Sequence, residues 1–215
     1  MDHPYGLIFM VCSLRWDRKY CMTKAKTPVH AMTIHGAWSS SISFNHISSK
    51  IAASCEHFQY DHHSEGMRQI IQRARDSITR PSILIGHSLG GIVALAVEDH
   101  PMVQGIVTLA SPLTGLDLNL IQVYLSRSSL VSEITNRSHL MRDLHRHAYQ
   151  KPVLHLVANR GYNPFIYEQN DGVLPYKVQT GWTCGDMREI AANHYEILQS
   201  TETVSEIAKF LRNFG

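Results

Sequence analysis

Gly86-His87-Ser88-Leu89-Gly90-Gly91 stands between a short apolar stretch, Ser82 to Ile85, and a second one, Ile92 to Val97. A chain with this pattern has to pass from strand to helix within a tight turn. A residue at the apex of such a turn has a strained backbone. Its neighbours two positions away on each side must then lack side chains, and Gly86 and Gly90 meet that need. The turn lifts the Ser88 hydroxyl above the strand ends. It also leaves the Leu89 N–H at a helix N-terminus, where it can stabilise a developing oxyanion.

The rest of the chain alternates strands with helices, which implies one mostly parallel sheet with helices on both faces. Val29 to Ile34, Gly105 to Ala110 and Val153 to Ala158 read as buried strands, and His57 to Tyr60 as a weaker one. Ile42 to Ala53 is expected to be a short helix. Met67, Ile70, Ile71, Ala74 and Ile78 recur at helical spacing up to the stop at Pro81. Val204, Ile207, Ala208, Leu211 and Phe214 share a face of a C-terminal helix, with Thr203 and Glu206 as its expected capping box. Leu113 to Lys151 is too long for a plain connection. Its apolar stretches, Leu116 to Leu125 and Leu140 to Tyr149, predict an inserted helical cap, residues 113–151. At 215 residues and 44% hydrophobic, the chain suits a single domain spanning 1–215, with residues 1–28 an N-terminal extension.

A serine hydroxyl needs a base, and the chain has 14 histidines. His155 lies within a strand, His62 and His63 in a polar stretch. His145 and His147 are two apart and share no helical face. His87 is expected to be held in the turn and to point away from the hydroxyl beside it, as part of the pocket wall. His194 follows the last apolar segment, Glu189 to Ala192, and precedes the final helix, so a loop there can carry an imidazole to Ser88. The carboxylate that orients it is expected at Asp171, in the turn sequence Asn170-Asp171-Gly172. Glu168 and Asp186 are the rivals, and Asp117 is less well placed. The second oxyanion donor is expected in the loop after the first strong strand, His35-Gly36-Ala37-Trp38. There Gly36 permits close approach, Ala37 supplies the N–H and Trp38 walls the pocket.

These pieces together (HGAW, GHSLGG, the Ala110 to Gly115 stretch ASPLTG, NDGV and NHYEIL) resemble the α/β-hydrolase lipases and esterases. The ASPLTG and NDG segments resemble bacterial triacylglycerol lipases, and HGAW resembles small plant methylesterases. The resemblance runs from residue 29 to the end, which leaves the first two sheet strands of typical members missing or residual. It implies an α/β-hydrolase fold and cleavage of a carboxylic ester by Ser88, Asp171 and His194, with oxyanion N–H groups from Ala37 and Leu89. No cofactor and no metal are implied. The expected partner is a small-molecule ester or lipid. A thioesterase, amidase or acyltransferase can use the same residues. HGAW also allows a hydroxynitrile lyase, and a non-catalytic binding module on the same scaffold is the reading from another class.

The net charge of +2, with scattered basic residues, leaves no footprint for nucleic acid. No apolar run is long enough to span a bilayer. Cys12, Cys21, Cys55 and Cys184 form no CxxC pair, which favours free thiols and a cytoplasmic setting over a zinc site or disulfide framework. Gly6 to Leu14 resembles the apolar core of a short secretory signal, although Asp2 precedes it and the basic residues follow it, so a secreted protein with one disulfide is the alternative; Met22 is an alternative start.

Overall fold

Branched aliphatic runs build the sheet. In the computed structural model, which describes residues 29–117, 129–182 and 184–215, six strands lie side by side. They are β1 (Val29–Ile34), β2 (Ala53–Phe58), β3 (Ser82–His87), β4 (Val103–Leu109), β5 (Val153–Ala158) and β6 (Asp186–Ile190). Their order is β2-β1-β3-β4-β5-β6, and every neighbouring pair is parallel. The inner strands are apolar on both faces because helices cover both. β3 and β5 are buried at every residue. β2 and β6 interleave exposed side chains such as Glu56, Arg188 and Glu189, and they form the edges.

The helices are α1 (Asn45–Ser48), α2 (Met67–Ser77), α3 (Leu89–Ala96), α4 (Ser129–Glu133), α5 (His139–Arg146), α6 (Tyr176–Thr180) and α7 (Thr201–Leu211). Successive residues of β3 point to opposite faces. Leu84 joins Met67, Ile70 and Ala74 of α2 and Ile92 of α3 in one core layer. Ile83 and Ile85 join Ile47 of α1 and Ile207 and Leu211 of α7 in the other. Each fully buried aliphatic side chain contributes about 1.5–3 kcal/mol.

Several boundaries differ from the sequence reading. The expected helix Ile42 to Ala53 is a 3-10 turn over Ser41–Phe44 followed by the single turn α1. β2 begins at Ala53 and ends at Phe58, because pairing from Val29↔Ala53 to Ile34↔Phe58 extends it over a polar stretch. β4 starts two residues before Gly105, and the last strand starts at Asp186, three residues before the apolar segment Glu189 to Ala192. α7 is capped by Ser200, whose hydroxyl accepts the N–H groups of Glu202 and Thr203. Thr203 is therefore already inside the first turn and buried, and Glu206 pairs with Lys209 instead.

Of the expected cap, α4 and α5 lie within the described residues. Their Leu130, Val131, Met141 and Leu144 pack into the same layer as α2 and α3. Most of the expected helix from Leu116 to Leu125, all of residues 1–28, and the question of strands before Val29 lie outside the described residues. Among the described residues, no helix is long and apolar enough to cross a membrane.

The strand order reverses at one place. From β1 the chain moves to β2 on one side, then crosses back to β3 on the other. In an open parallel sheet, the crevice at the carboxyl ends of two such strands is where ligands bind. Ile34 is in register with Gly86, so His35-Gly36 and His87-Ser88 leave the sheet side by side.

Candidate active site

Ser88 is the whole turn. β3 ends at His87 and α3 starts at Leu89, three residues before the expected Ile92. Ser88 has φ 53 and ψ −119, a conformation costing on the order of 1–3 kcal/mol that persists only where its surroundings enforce it. Its N–H is held by the Leu109 carbonyl at 2.8 Å. A Cβ on Gly86 would lie 2.3 Å from the Gly90 carbonyl oxygen, and one on Gly90 would lie 2.1 Å from that of Ile34. Both glycines are thus required by backbone contact. Gly36 is pressed against the same turn, since a Cβ there would lie 3.1 Å from the Cβ of Ser88.

The loop after β5 brings Asp171 inside. Its Oδ1 accepts the N–H groups of Val173 (2.8 Å) and Leu174 (2.6 Å). Its Oδ2 accepts the Gln179 side-chain amide (3.1 Å) and His194 Nδ1–H (2.6 Å). Gly172 completes the turn at φ 94. His194 is held on three sides. Its N–H donates to the Asp171 carbonyl at 2.8 Å, its Nδ1–H to the Asp171 carboxylate, and its carbonyl accepts from His87 Nε2 at 2.8 Å. With the proton on Nδ1, the lone pair is on Nε2, an assignment made from the partners. Asp171 and His194 are 1% and 3% exposed, so their pairing is shielded from solvent. The Ser88 hydroxyl makes no hydrogen bond to a described residue. Ser88 is tied to the pair through its neighbour His87, whose Nε2–H donates to the His194 carbonyl.

The rival carboxylates go elsewhere. Glu168 is paired with Lys177 at 2.8 Å, and Asp186 is exposed on the edge strand β6. Asp117 lines a separate groove of about 690 Å³ with Thr114, Phe165 and Tyr167. A cleft of about 390 Å³ lies directly over the pair, lined by Arg160, Tyr162, Asp171, Asn193, His194 and Tyr195. Ala37 and Leu89 sit on the two sides of the β1–β3 crevice, and among the described residues no acceptor takes either N–H. Trp38 is 53% exposed and meets His62 edge-on, on the rim rather than as a closed wall.

His87, expected in the pocket wall, is buried, with its ring 4.8 Å from that of His194 between centroids. Its Nε2 must donate to a carbonyl, so Nδ1 is bare, and that atom is buried without a partner. Two further residues escaped the sequence reading. Gln179 clamps Asp171 while bonding both the N–H and the carbonyl of Ala158. Nothing in the sequence marks it. His35 is buried beside Gly36, and its place in the HGAW segment was the available signal. Among the described residues, no group of three or more His, Cys, Asp or Glu side chains is arranged to hold a metal.

Burial, and then the nearby His194, push the His87 pKa down to about 3. Burial takes His155, bonded to Thr108 and to the Cys184 carbonyl, down to about 4. It lowers His35 too. All three folded values lie below that of an unfolded histidine, so the unfolded chain binds more protons. Their stabilising contribution is complete above the unfolded value and is lost as pH falls from there towards the folded values. The expected result is a denaturation midpoint that falls between about pH 7 and pH 5, each histidine contributing a slope of up to about 1.4 kcal/mol per pH unit. Urea titrations at several pH values check this, and a flat profile would contradict it.

A six-stranded parallel sheet, helices on both faces and a serine turn at the sheet's point of reversal define an α/β-hydrolase domain. Residues 34–161 match the family model described as PGAP1-like alpha/beta domain, and the chain belongs to that family. Its fold is similar to that of the lipase BlEst2 of Bacillus licheniformis, with TM-score 0.65 and 16% identity over 87% of this chain and 93% of that one. A monoacylglycerol lipase of Paleococcus ferrophilus gives TM-score 0.60 and 17% identity over 88% and 97%. An extracellular α/β-hydrolase of a Paenibacillus species gives 0.55 and 15% over 87% and 99%. A comparison with curated proteins finds no match.

Proposed function

We propose that this chain is a serine hydrolase of carboxylic esters, with Ser88 as nucleophile, His194 as base and Asp171 as the group that orients it. The observation carrying this reading is the buried 2.6 Å bond from His194 Nδ1 to Asp171, in a histidine whose main chain is bonded to the residue before the strained serine. His194 Nε2 takes the Ser88 proton as the hydroxyl attacks the ester carbon, and the Ala37 and Leu89 N–H groups receive the oxyanion. The alcohol leaves with the proton from His194. Water, deprotonated by the same imidazole, then releases the acid and restores Ser88. The chemistry needs neither metal nor cofactor.

The rim favours an apolar or lipid ester. The exposed large hydrophobic residues among those described are Trp38, Ile42, Met102, Tyr162, Phe165, Tyr167 and Tyr195. All but Met102 lie in connections that follow β1, β5 or β6. In a parallel sheet these emerge at the same end of the strands as Ser88, and Tyr162 and Tyr195 line the cleft over Asp171 and His194.

The test is labelling with a fluorophosphonate probe alongside hydrolysis of p-nitrophenyl esters of increasing acyl length, with thioesters and amides as controls. The expected result is one covalent adduct, on Ser88, and preferential ester turnover. Folded protein that neither labels nor hydrolyses any substrate would leave the binding-module reading in its place.

A further inference from the structure

The geometry points to His35 as a positioning residue for the oxyanion site: by holding the Gly36 carbonyl, it sets the direction of the Ala37 N–H. This inference rests on the ester-hydrolase reading above. The Gly36 carbonyl and the Ala37 N–H are the two edges of one peptide plane, and in a trans peptide they point in opposite directions. His35 Nδ1 lies 2.8 Å from the Gly36 oxygen. A carbonyl only accepts, so Nδ1 carries the proton. The other ring nitrogen agrees, since Nε2 accepts the Tyr60 N–H at 3.4 Å. Both partners therefore select one tautomer.

The ring has little freedom to turn. It stacks on Tyr60 at 4.2 Å between centroids and 7° between planes. The Tyr60 hydroxyl also donates to the His35 carbonyl at 2.9 Å. Tyr60 follows β2, and β2 lies on the side of β1 opposite β3. The carbonyl edge of the Gly36–Ala37 peptide is thus turned towards the His35 ring, and its N–H edge is turned away, towards the β3 side where Ser88 stands. Two further features show that the loop is tightly determined: Gly36 is packed against Ser88, and Trp38, next in the chain, is held at φ 53. An oxyanion donor is effective only when fixed before the charge develops. The His35–Tyr60 pair supplies that fixation from outside the pocket, without touching substrate.

The test compares His35→Phe, which keeps the ring stack and drops the donor, with His35→Asn, whose amide N–H can occupy the place of Nδ1–H. Turnover of p-nitrophenyl butyrate by the full chain is measured with the Ala37 amide resonance in 15N-labelled protein. The Phe variant is expected to lose about 10²-fold in kcat with KM nearly unchanged, the low end of the effect of removing one oxyanion donor. Its Ala37 resonance should shift or broaden. The Asn variant should recover most of both. If the Phe variant does not fold, Tyr60→Phe, which removes only the hydroxyl bond to His35, must still lower kcat several-fold at constant KM. Wild-type kcat in the folded Phe variant would overturn the assignment, as would an Asn variant as impaired as Phe. If the wild type hydrolyses no ester while the Ala37 resonance still follows the donor, the positioning role stands and the ester-hydrolase reading falls.

Discussion

Ser88→Ala is expected to lower kcat/KM on a short-chain p-nitrophenyl ester by about 10⁴-fold or more, while leaving the fold intact. The substitution removes one oxygen and nothing that holds the turn. Alanine can take the same backbone hydrogen bond to Leu109, and Gly36, Gly86 and Gly90 still leave the space the turn requires. The strained φ of 53 is enforced by those contacts and not by the hydroxyl, so stability should change little. On the proposed mechanism the variant keeps the Ala37 and Leu89 N–H groups and loses only the attacking oxygen, so residual turnover above water is expected. Steady-state kinetics with circular dichroism and thermal melting check the result. A variant as active as the wild type would remove Ser88 from the chemistry.

The second large effect is expected at Asp171→Asn, with a fall in kcat also on the order of 10⁴-fold. The carboxylate accepts four hydrogen bonds. Val173 and Leu174 donate to Oδ1, and Gln179 and His194 donate to Oδ2. An asparagine can satisfy only half of this set. Its oxygen accepts the two backbone N–H groups, and its NH₂ then faces the His194 ring nitrogen and the Gln179 amide. To avoid donor against donor, His194 must move its proton to Nε2, the atom that has to be unprotonated to serve as the base. The Gln179 amide loses its acceptor, which costs about 1–3 kcal/mol of stability for a buried group. Kinetics and 15N NMR of the imidazole measure both consequences. A fall of less than tenfold, or an unchanged tautomer, would show that Asp171 is structural.

The strained turn was legible because its requirement is local. Two glycines around a serine between apolar runs report backbone sterics within five residues. The inner strands were legible for a related reason, as they are buried on both faces and need no polar alternation. β2 and the region before it were misread because Ala53–Phe58 is polar at alternate positions and became a strand through pairing with β1. The cap of α7 was placed three residues late, since Thr203 and Glu206 match the capping pattern as well as Ser200 does.

The residues by themselves determined the class of fold, the strained turn at Ser88 and the order in which Ser88, Asp171 and His194 follow one another along the chain. Only the tertiary structure set Asp171, and not Glu168 or Asp186, against His194, brought Gln179 to Asp171 and the His35 ring to the Gly36 carbonyl, and buried His87 beside His194. Spacing and composition carry information about backbone angles and buried faces over a few residues. Which distant side chains meet depends on strand register and on where each loop closes over the sheet, and those are set by the packing of the whole chain.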